Sequence, residues 1–224
     1  MSVNKESYQQ LLADLGSHHI TLVAVSKTKS IEEIIELYDL GQRDFGENYV
    51  QELVEKQLRL PKDIRWHFIG HLQSNKAKQL APFIHLIQSV DSVKLLLEIN
   101  KQGEKNNRVI DCLLQVHIAQ EETKFGMDEQ EINLSIRDYE DMKLKNVRIS
   151  GMMGMASFTD DLNKVKSEFS YLKSIFDKNA KLTNADHAMT TLSMGMSSDY
   201  PVAIEEGSTM IRIGSLIFGA REPH

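Results

Sequence analysis

The sequence predicts an α/β fold, a single-domain (β/α)8 barrel of the TIM type, on three observations. Short apolar, β-branched runs recur eight times, stretches of helical period separate them, and 224 residues is a length at which such a barrel closes as one domain. An open parallel sheet would share the alternation, but eight strand-helix units favour closure. The expected unit is one domain over residues 1–224, with a helix ahead of the first strand.

Taken in order, the first strand is 21–26, where Thr, Leu, Val and Ala precede a polar stop. A helix follows from Ser30, whose hydroxyl can cap it while Glu33 three residues on completes a capping box. Strands 43–46, 66–70 and 86–90 then alternate with helical patterns over 47–59, 74–82 and 92–104. The second half repeats the scheme, with strands 111–118, 148–153, 191–194 and 210–218 and helices 128–140, 160–178 and 199–206. Runs 43–46 and 191–194 are the shortest signals in the series.

Composition narrows the function. Hydrophobic residues at 41% and charged residues at 26% match a soluble globular chain and exclude a disordered or fibrous one. Lys and Arg number 26 against 32 Asp and Glu, a net charge of −6 with the signs interspersed, so no nucleic acid partner is expected. No apolar run approaches the roughly 20 residues that span a bilayer, and Met1 to Glu6 lacks a signal-peptide pattern, so the expectation is a cytoplasmic protein with no membrane partner. The single cysteine, Cys112, cannot form an internal disulfide and sits in an apolar run that reads as core. With four prolines and no low-complexity segment, nothing divides the chain.

In a (β/α)8 barrel the working residues lie at the C-terminal ends of the strands. The first strand ends in Ser26-Lys27-Thr28-Lys29, which places an amine at that mouth. A desolvated Lys27 would be a nucleophile toward an aldehyde and could form a Schiff base; the plain alternative is a solvated lysine after a strand. The last strand reads Met210-Ile211-Arg212-Ile213-Gly214-Ser215, and glycine inside a strand pattern marks a close backbone approach. Gly214 and Ser215, with the hydroxyls of Ser193 and Ser197 after the seventh strand, can form a phosphate cup; ordinary turns with capping serines remain the other reading.

Arg212 alternates with Ile211 and Ile213, so it faces opposite to them, and inside a barrel it needs a partner. A ligand's aromatic nitrogen or a carboxylate would serve, and so would an internal salt bridge, for instance with Glu47. Asn48 follows the second strand and can donate and accept beside a ligand. His67 and His71 are four apart, but that spacing ligates metal on a helix and this stretch reads as a strand and its turn, so no metal site is expected. The methionine-rich Gly151-Met152-Met153-Gly154-Met155 reads as a strand with adaptable packing, contact with a flat ligand being the other reading.

Five motifs taken together resemble the pyridoxal phosphate homeostasis protein family. They are Val25-Ser26-Lys27-Thr28-Lys29, the run from Asp44 to Glu52, the run from Trp66 to Lys76, Leu192-Ser193-Met194-Gly195-Met196-Ser197, and Ile211-Arg212-Ile213-Gly214-Ser215. They occur in family order between about residue 20 and Arg221. The resemblance implies a barrel like the alanine racemase N-terminal domain, with pyridoxal 5′-phosphate on Lys27 as a Schiff base. By the same resemblance Arg212 faces the pyridine nitrogen, Asn48 lies beside the ring, and Ser197, Gly214 and Ser215 contact the phosphate with Ser193 nearby. Ser215 stands where threonine is frequent in the family, and it keeps the hydroxyl and the backbone N–H.

The resemblance and the chemistry of Arg212 together imply a carrier. Pyridoxal phosphate is a strong electron sink when its ring nitrogen is protonated, and an arginine there cannot accept that proton. Alanine racemases add a second domain bearing a catalytic tyrosine, whereas the barrel consumes all 224 residues here; Tyr49 or His187 would have to substitute. The expected role is therefore buffering, storage or delivery of the cofactor without strong turnover. A racemase-like enzyme is the alternative, and a sugar-phosphate isomerase a third class that gives Lys27 and Arg212 no shared ligand. Apo pyridoxal phosphate-dependent enzymes are the expected recipients, and a monomer or weak dimer the expected state.

Overall fold

A computed structural model describes residues 3–16, 19–119, 125–142, 144–180 and 188–219. Eight strands, β1 (Thr21–Val25), β2 (Asp44–Glu47), β3 (Arg65–Phe68), β4 (Leu86–Val90), β5 (Ile110–Val116), β6 (Val147–Gly154), β7 (Thr191–Ser193) and β8 (Met210–Ile213), form a closed barrel in sequence order. Each neighbouring pair is parallel, and β8 closes on β1. Among the described residues the helices are α1 (Lys5–Leu15), α2 (Ile31–Asp39), α3 (Val50–Arg59), α4 (Ala77–Leu80), α5 (Val93–Lys105), α6 (Glu129–Met142), α7 (Leu162–Ala180), α8 (Tyr200–Glu205) and α9 (Ser215–Phe218). The (β/α)8 architecture expected from the alternation is the one observed.

Local chemistry sets the helix starts. Ser30 accepts from the Glu33 N–H while the Glu33 carboxylate accepts from the Ser30 N–H, the capping box legible in the sequence. Two expected elements differ. The apolar run 210–218 is a strand only to Ile213, after which Gly214 starts α9. The helix expected over 74–82 is a 3₁₀ turn, Ser74–Lys76, followed by the short α4.

Most apolar side chains pack between strands and helices, and Cys112 is buried there, its thiol pKa pushed up by burial. Inside the barrel, Val23, Leu86, Leu113, Met153 and Met210 form a smaller cluster. His67, Gln88, Ser193 and Arg212 are also fully or nearly fully buried, so the interior is partly polar. Among the described residues no helix is long and apolar enough to cross a membrane.

Candidate functional site

Lys27 follows β1, and its two chain neighbours are tied down from behind. Ser26 is buried and its hydroxyl donates to Glu47 Oε1 at 2.6 Å, while its carbonyl accepts from Lys56 Nζ at 2.7 Å. Thr28 has φ +64°, a left-handed conformation that a β-branched residue resists, and its N–H donates to Glu52 Oε1 at 2.6 Å. Lys56 joins the carboxylates, reaching Glu47 at 2.8 Å and Glu52 at 2.7 Å. Burial raises the Glu47 pKa, opposed by the Lys56 charge. This buried ion cluster holds the backbone on both sides of Lys27.

Asn48 follows β2. Gly70, beyond β3, packs on its backbone so closely that an added Cβ would lie 2.3 Å from the Asn48 carbonyl oxygen, so only glycine permits the approach. Asn48 Oδ1 is buried and has no hydrogen-bond partner among the described residues. A buried acceptor left open in this way needs a donor.

Arg212 points inward from β8. Its guanidinium donates to Ser193 Oγ at 2.5 Å and to the Gly154 carbonyl at 3.1 Å. Both partners are neutral. Burial lowers the Arg212 pKa to about 10, and the Asp199 carboxylate acts against that through space. Asp199 also accepts from the Met196 N–H at 2.6 Å, folding the loop after β7. Gly195 opens that loop at φ +98°, where an added Cβ would lie 2.6 Å from Ala203 Cβ.

One cavity of about 380 Å³ joins these groups at the C-terminal ends of the strands. Lys27, Asn48, Ser197, Arg212, Gly214 and Ser215 line it. Gly214 and Ser215 are the N-cap and first residue of α9, where backbone N–H groups have no intrahelical acceptor. Ser193 is fully buried beneath the cavity floor, bonded to Arg212 and Gln88 rather than lining the space. The arrangement offers the Lys27 amine, with Lys29 also at the lining but bonded to the Phe218 carbonyl and Glu33, one guanidinium and several neutral donors to a ligand with an acceptor at each end.

Several sequence readings fall elsewhere. Glu47 pairs with Lys56 and Ser26, so it is not the partner of Arg212. The β2 burial pattern explains the difference, because all four residues are buried and the face of Glu47 cannot be read from alternation. Tyr49 is 56% exposed and outside the cavity lining, and His187 lies outside the described residues. His71 stacks on Phe125 with ring centroids 4.1 Å apart, away from His67. Ser198, Phe158, Ile69 and Met155 also line the cavity, and of these Phe158 is the one that no sequence motif contains or adjoins. Ser198 adjoins a motif, Ile69 and Met155 lie within quoted runs, and Phe158 carries no local signal that separates it from surface.

At the opposite mouth, Asp44, His67 and His85 bring potential ligand atoms within 4.8 Å of one another. Arg65 makes a two-point contact with Asp44, and both His67 ring nitrogens are hydrogen-bonded, so the group is an ion-pair cluster. Burial would raise the Asp44 pKa, but Arg65 and His67 outweigh it and hold the carboxyl well below its ordinary range.

Comparisons with known proteins agree with this fold. The model of the family described as "Alanine racemase, N-terminal domain" matches residues 5–222. A pyridoxal phosphate homeostasis protein of Pongo abelii is 40% identical over 97% of this chain and 84% of its own. PipY of Synechococcus elongatus PCC7942, solved with PLP bound, is 34% identical at a TM-score of 0.82, covering 94% of this chain and 99% of its own. An alanine racemase of Clostridium difficile 630 shares the fold at a TM-score of 0.75 with 13% identity, this chain matching 59% of its length. The five motifs, the closed barrel and these matches agree: the chain belongs to the pyridoxal phosphate homeostasis protein family, built on the barrel of the alanine racemase N-terminal domain.

Proposed function

We propose that the cavity at the C-terminal mouth holds pyridoxal 5′-phosphate on Lys27, and that the protein buffers, stores or delivers this cofactor without strong turnover of its own. The observation that carries the reading is Arg212, a buried guanidinium whose hydrogen bonds among the described residues go to a hydroxyl and a carbonyl, and which lines the same cavity as Lys27. Bound pyridoxal phosphate supplies an aldehyde that condenses with an amine with loss of water, an acceptor nitrogen in its ring, and a phosphate. Asn48 Oδ1, buried and open, fits a ligand that brings a donor. The homeostasis relatives and the PLP-bound PipY support the same cofactor.

The residues divide the work. Lys27 supplies the amine from a backbone held by Ser26 and Thr28. Arg212 would donate toward the ring nitrogen and, having no lone pair with which to accept a proton from it, would favour that nitrogen unprotonated. Ser197, Gly214 and Ser215 offer hydroxyl and backbone donors to the phosphate, and Asn48 sits beside the ring. A ring kept unprotonated is a weak electron sink, which favours a carrier over a racemase-like enzyme. The proposal extends to one working domain, a cytoplasmic location, a monomer or weak dimer, and apo pyridoxal phosphate-dependent enzymes as recipients.

The test is a transfer assay. Loaded protein mixed with an apo-enzyme is expected to restore that enzyme's activity while racemising alanine at a negligible rate. Racemisation that is lost in Lys27→Ala would replace the carrier by the enzyme.

A further inference from the structure

A continuous column of buried side chains crosses the barrel from one mouth to the other. Arg212 Nη1 donates to Ser193 Oγ at 2.5 Å, Ser193 donates to Gln88 Oε1 at 2.7 Å, Gln88 Nε2 lies 3.0 Å from His67 Nδ1, and His67 Nε2 lies 3.0 Å from Asp44 Oδ1. Gln88 also donates to Met210 Sδ at 3.2 Å. These five column residues are all buried, Gln88 and Ser193 completely. The two ends line different cavities, Arg212 at the C-terminal mouth and Asp44 with His67 at the N-terminal mouth.

With the Gln88 oxygen toward Ser193 and its amide nitrogen toward His67, the bonds of the column run in one direction. An arginine only donates, so Ser193 must accept from it and keep its own proton for Gln88. Gln88 then turns its oxygen to Ser193 and its amide NH₂ to His67. His67 accepts at Nδ1, which leaves its proton on Nε2 for the Asp44 carboxylate, an obligate acceptor. Donors therefore point one way, from the guanidinium to a carboxylate at the far mouth, and each bond polarises the next.

We propose that Gln88 is a positioning residue for Arg212: by fixing the Ser193 hydroxyl it sets the guanidinium so that its remaining N–H groups face an acceptor nitrogen in the cavity. This rests on the pyridoxal phosphate reading of that cavity. Gln88 suits the role because its side chain carries an acceptor and a donor on one rigid group, both engaged and away from water. A serine hydroxyl alone turns freely; with its proton committed to Gln88, its lone pair stays aimed at Arg212. Gln88 is not among the residues lining the cavity, and its hydrogen-bonded link to the Arg212 guanidinium runs through Ser193.

The test compares pyridoxal 5′-phosphate with its 1-deaza analogue, which keeps the aldehyde and phosphate but has C–H in place of the ring nitrogen. Wild-type protein is expected to prefer the natural cofactor. Gln88→Met is expected to weaken pyridoxal phosphate by about tenfold or more, a change of ~1.4 kcal/mol, and to leave the analogue's Kd within about twofold. Gln88→Glu keeps the acceptor toward Ser193 and is expected to restore most of the preference. Equal weakening toward both ligands in Gln88→Met would make Gln88 merely structural and overturn the proposal. Should Gln88→Met fail to fold, Ser193→Ala cuts the column one link nearer Arg212 by removing a single hydroxyl. The same selective loss is expected there, and a retained preference would overturn the proposal. Wild-type protein that binds neither ligand would instead sink the reading of the cavity.

Discussion

At the N-terminal mouth of the barrel, Asp44 and Arg65 sit in register on β2 and β3 and meet through two contacts, and Asp111 and Arg148 do the same on β5 and β6. At the C-terminal mouth, Arg212 is more deeply buried than either of those arginines, yet its partners are a hydroxyl and a carbonyl. Where strand register supplies a counter-charge, the charge serves the fold. Where a buried cation has its hydrogen bonds to neutral groups and a carboxylate acting on it only through space, the fold leaves room for a ligand to complete it. The contrast separates the two ends of one barrel without reference to any relative.

The comparison can be broken by substitutions on each side. The largest effect on stability belongs to the ion cluster behind Lys27. Lys56→Met leaves Glu47 buried without its counter-charge and is expected to lower unfolding free energy by about 3–5 kcal/mol in urea titrations. A loss below about 1 kcal/mol would show that Glu47 is already neutral in the fold.

Arg212→Met should act on binding instead. A loss of about 100-fold in pyridoxal phosphate affinity, ~2.7 kcal/mol, is expected in a spectroscopic titration. The ligand-free Tm is expected to hold or rise, because the substitution removes a guanidinium that burial has already brought to a pKa of about 10. A sharp fall in Tm with unchanged affinity would make Arg212 a structural residue.

Asp44→Asn is expected to cost about 1–3 kcal/mol at pH 7. The sign of its pH dependence follows from the lowered pKa. The folded protein holds Asp44 ionised below its ordinary 3.8, so the stabilisation is complete above that value and fades as pH falls beneath it. Denaturation curves of wild type and variant should therefore converge in acid; a constant gap down to pH 2 would contradict the assignment. The smallest effect is expected for Asp111→Asn, about 0.2–1 kcal/mol, because its partner Arg148 is half exposed and solvent screens the pair.

How much of this the sequence discloses depends on the distance over which the signal acts. Strand-helix alternation, the Ser30 capping box and the buried setting of Cys112 are local, and all are legible. The end of β8 is not, because an apolar run through Phe218 reads the same as a strand or as a strand and a helical turn; only Gly214 hints at the break. For the candidate site, six of the seven residues expected to bind the cofactor line one cavity, since strand ends converge in a barrel. Ser193 lies beneath it. The column stayed invisible because Gln88 meets Ser193 across 105 positions and His67 across 21, and no periodicity encodes such pairings. The same holds for Glu47, whose strand is buried on both faces.

The most direct test of the central claim is to reduce the protein with borohydride in the presence of pyridoxal phosphate and map the labelled peptide by mass spectrometry. The account predicts a visible absorption band before reduction and a single label on Lys27, both lost in Lys27→Ala. Label spread over Lys29, Lys76 and Lys78, with no band, would contradict it and return the cavity to an anion site without a covalent ligand.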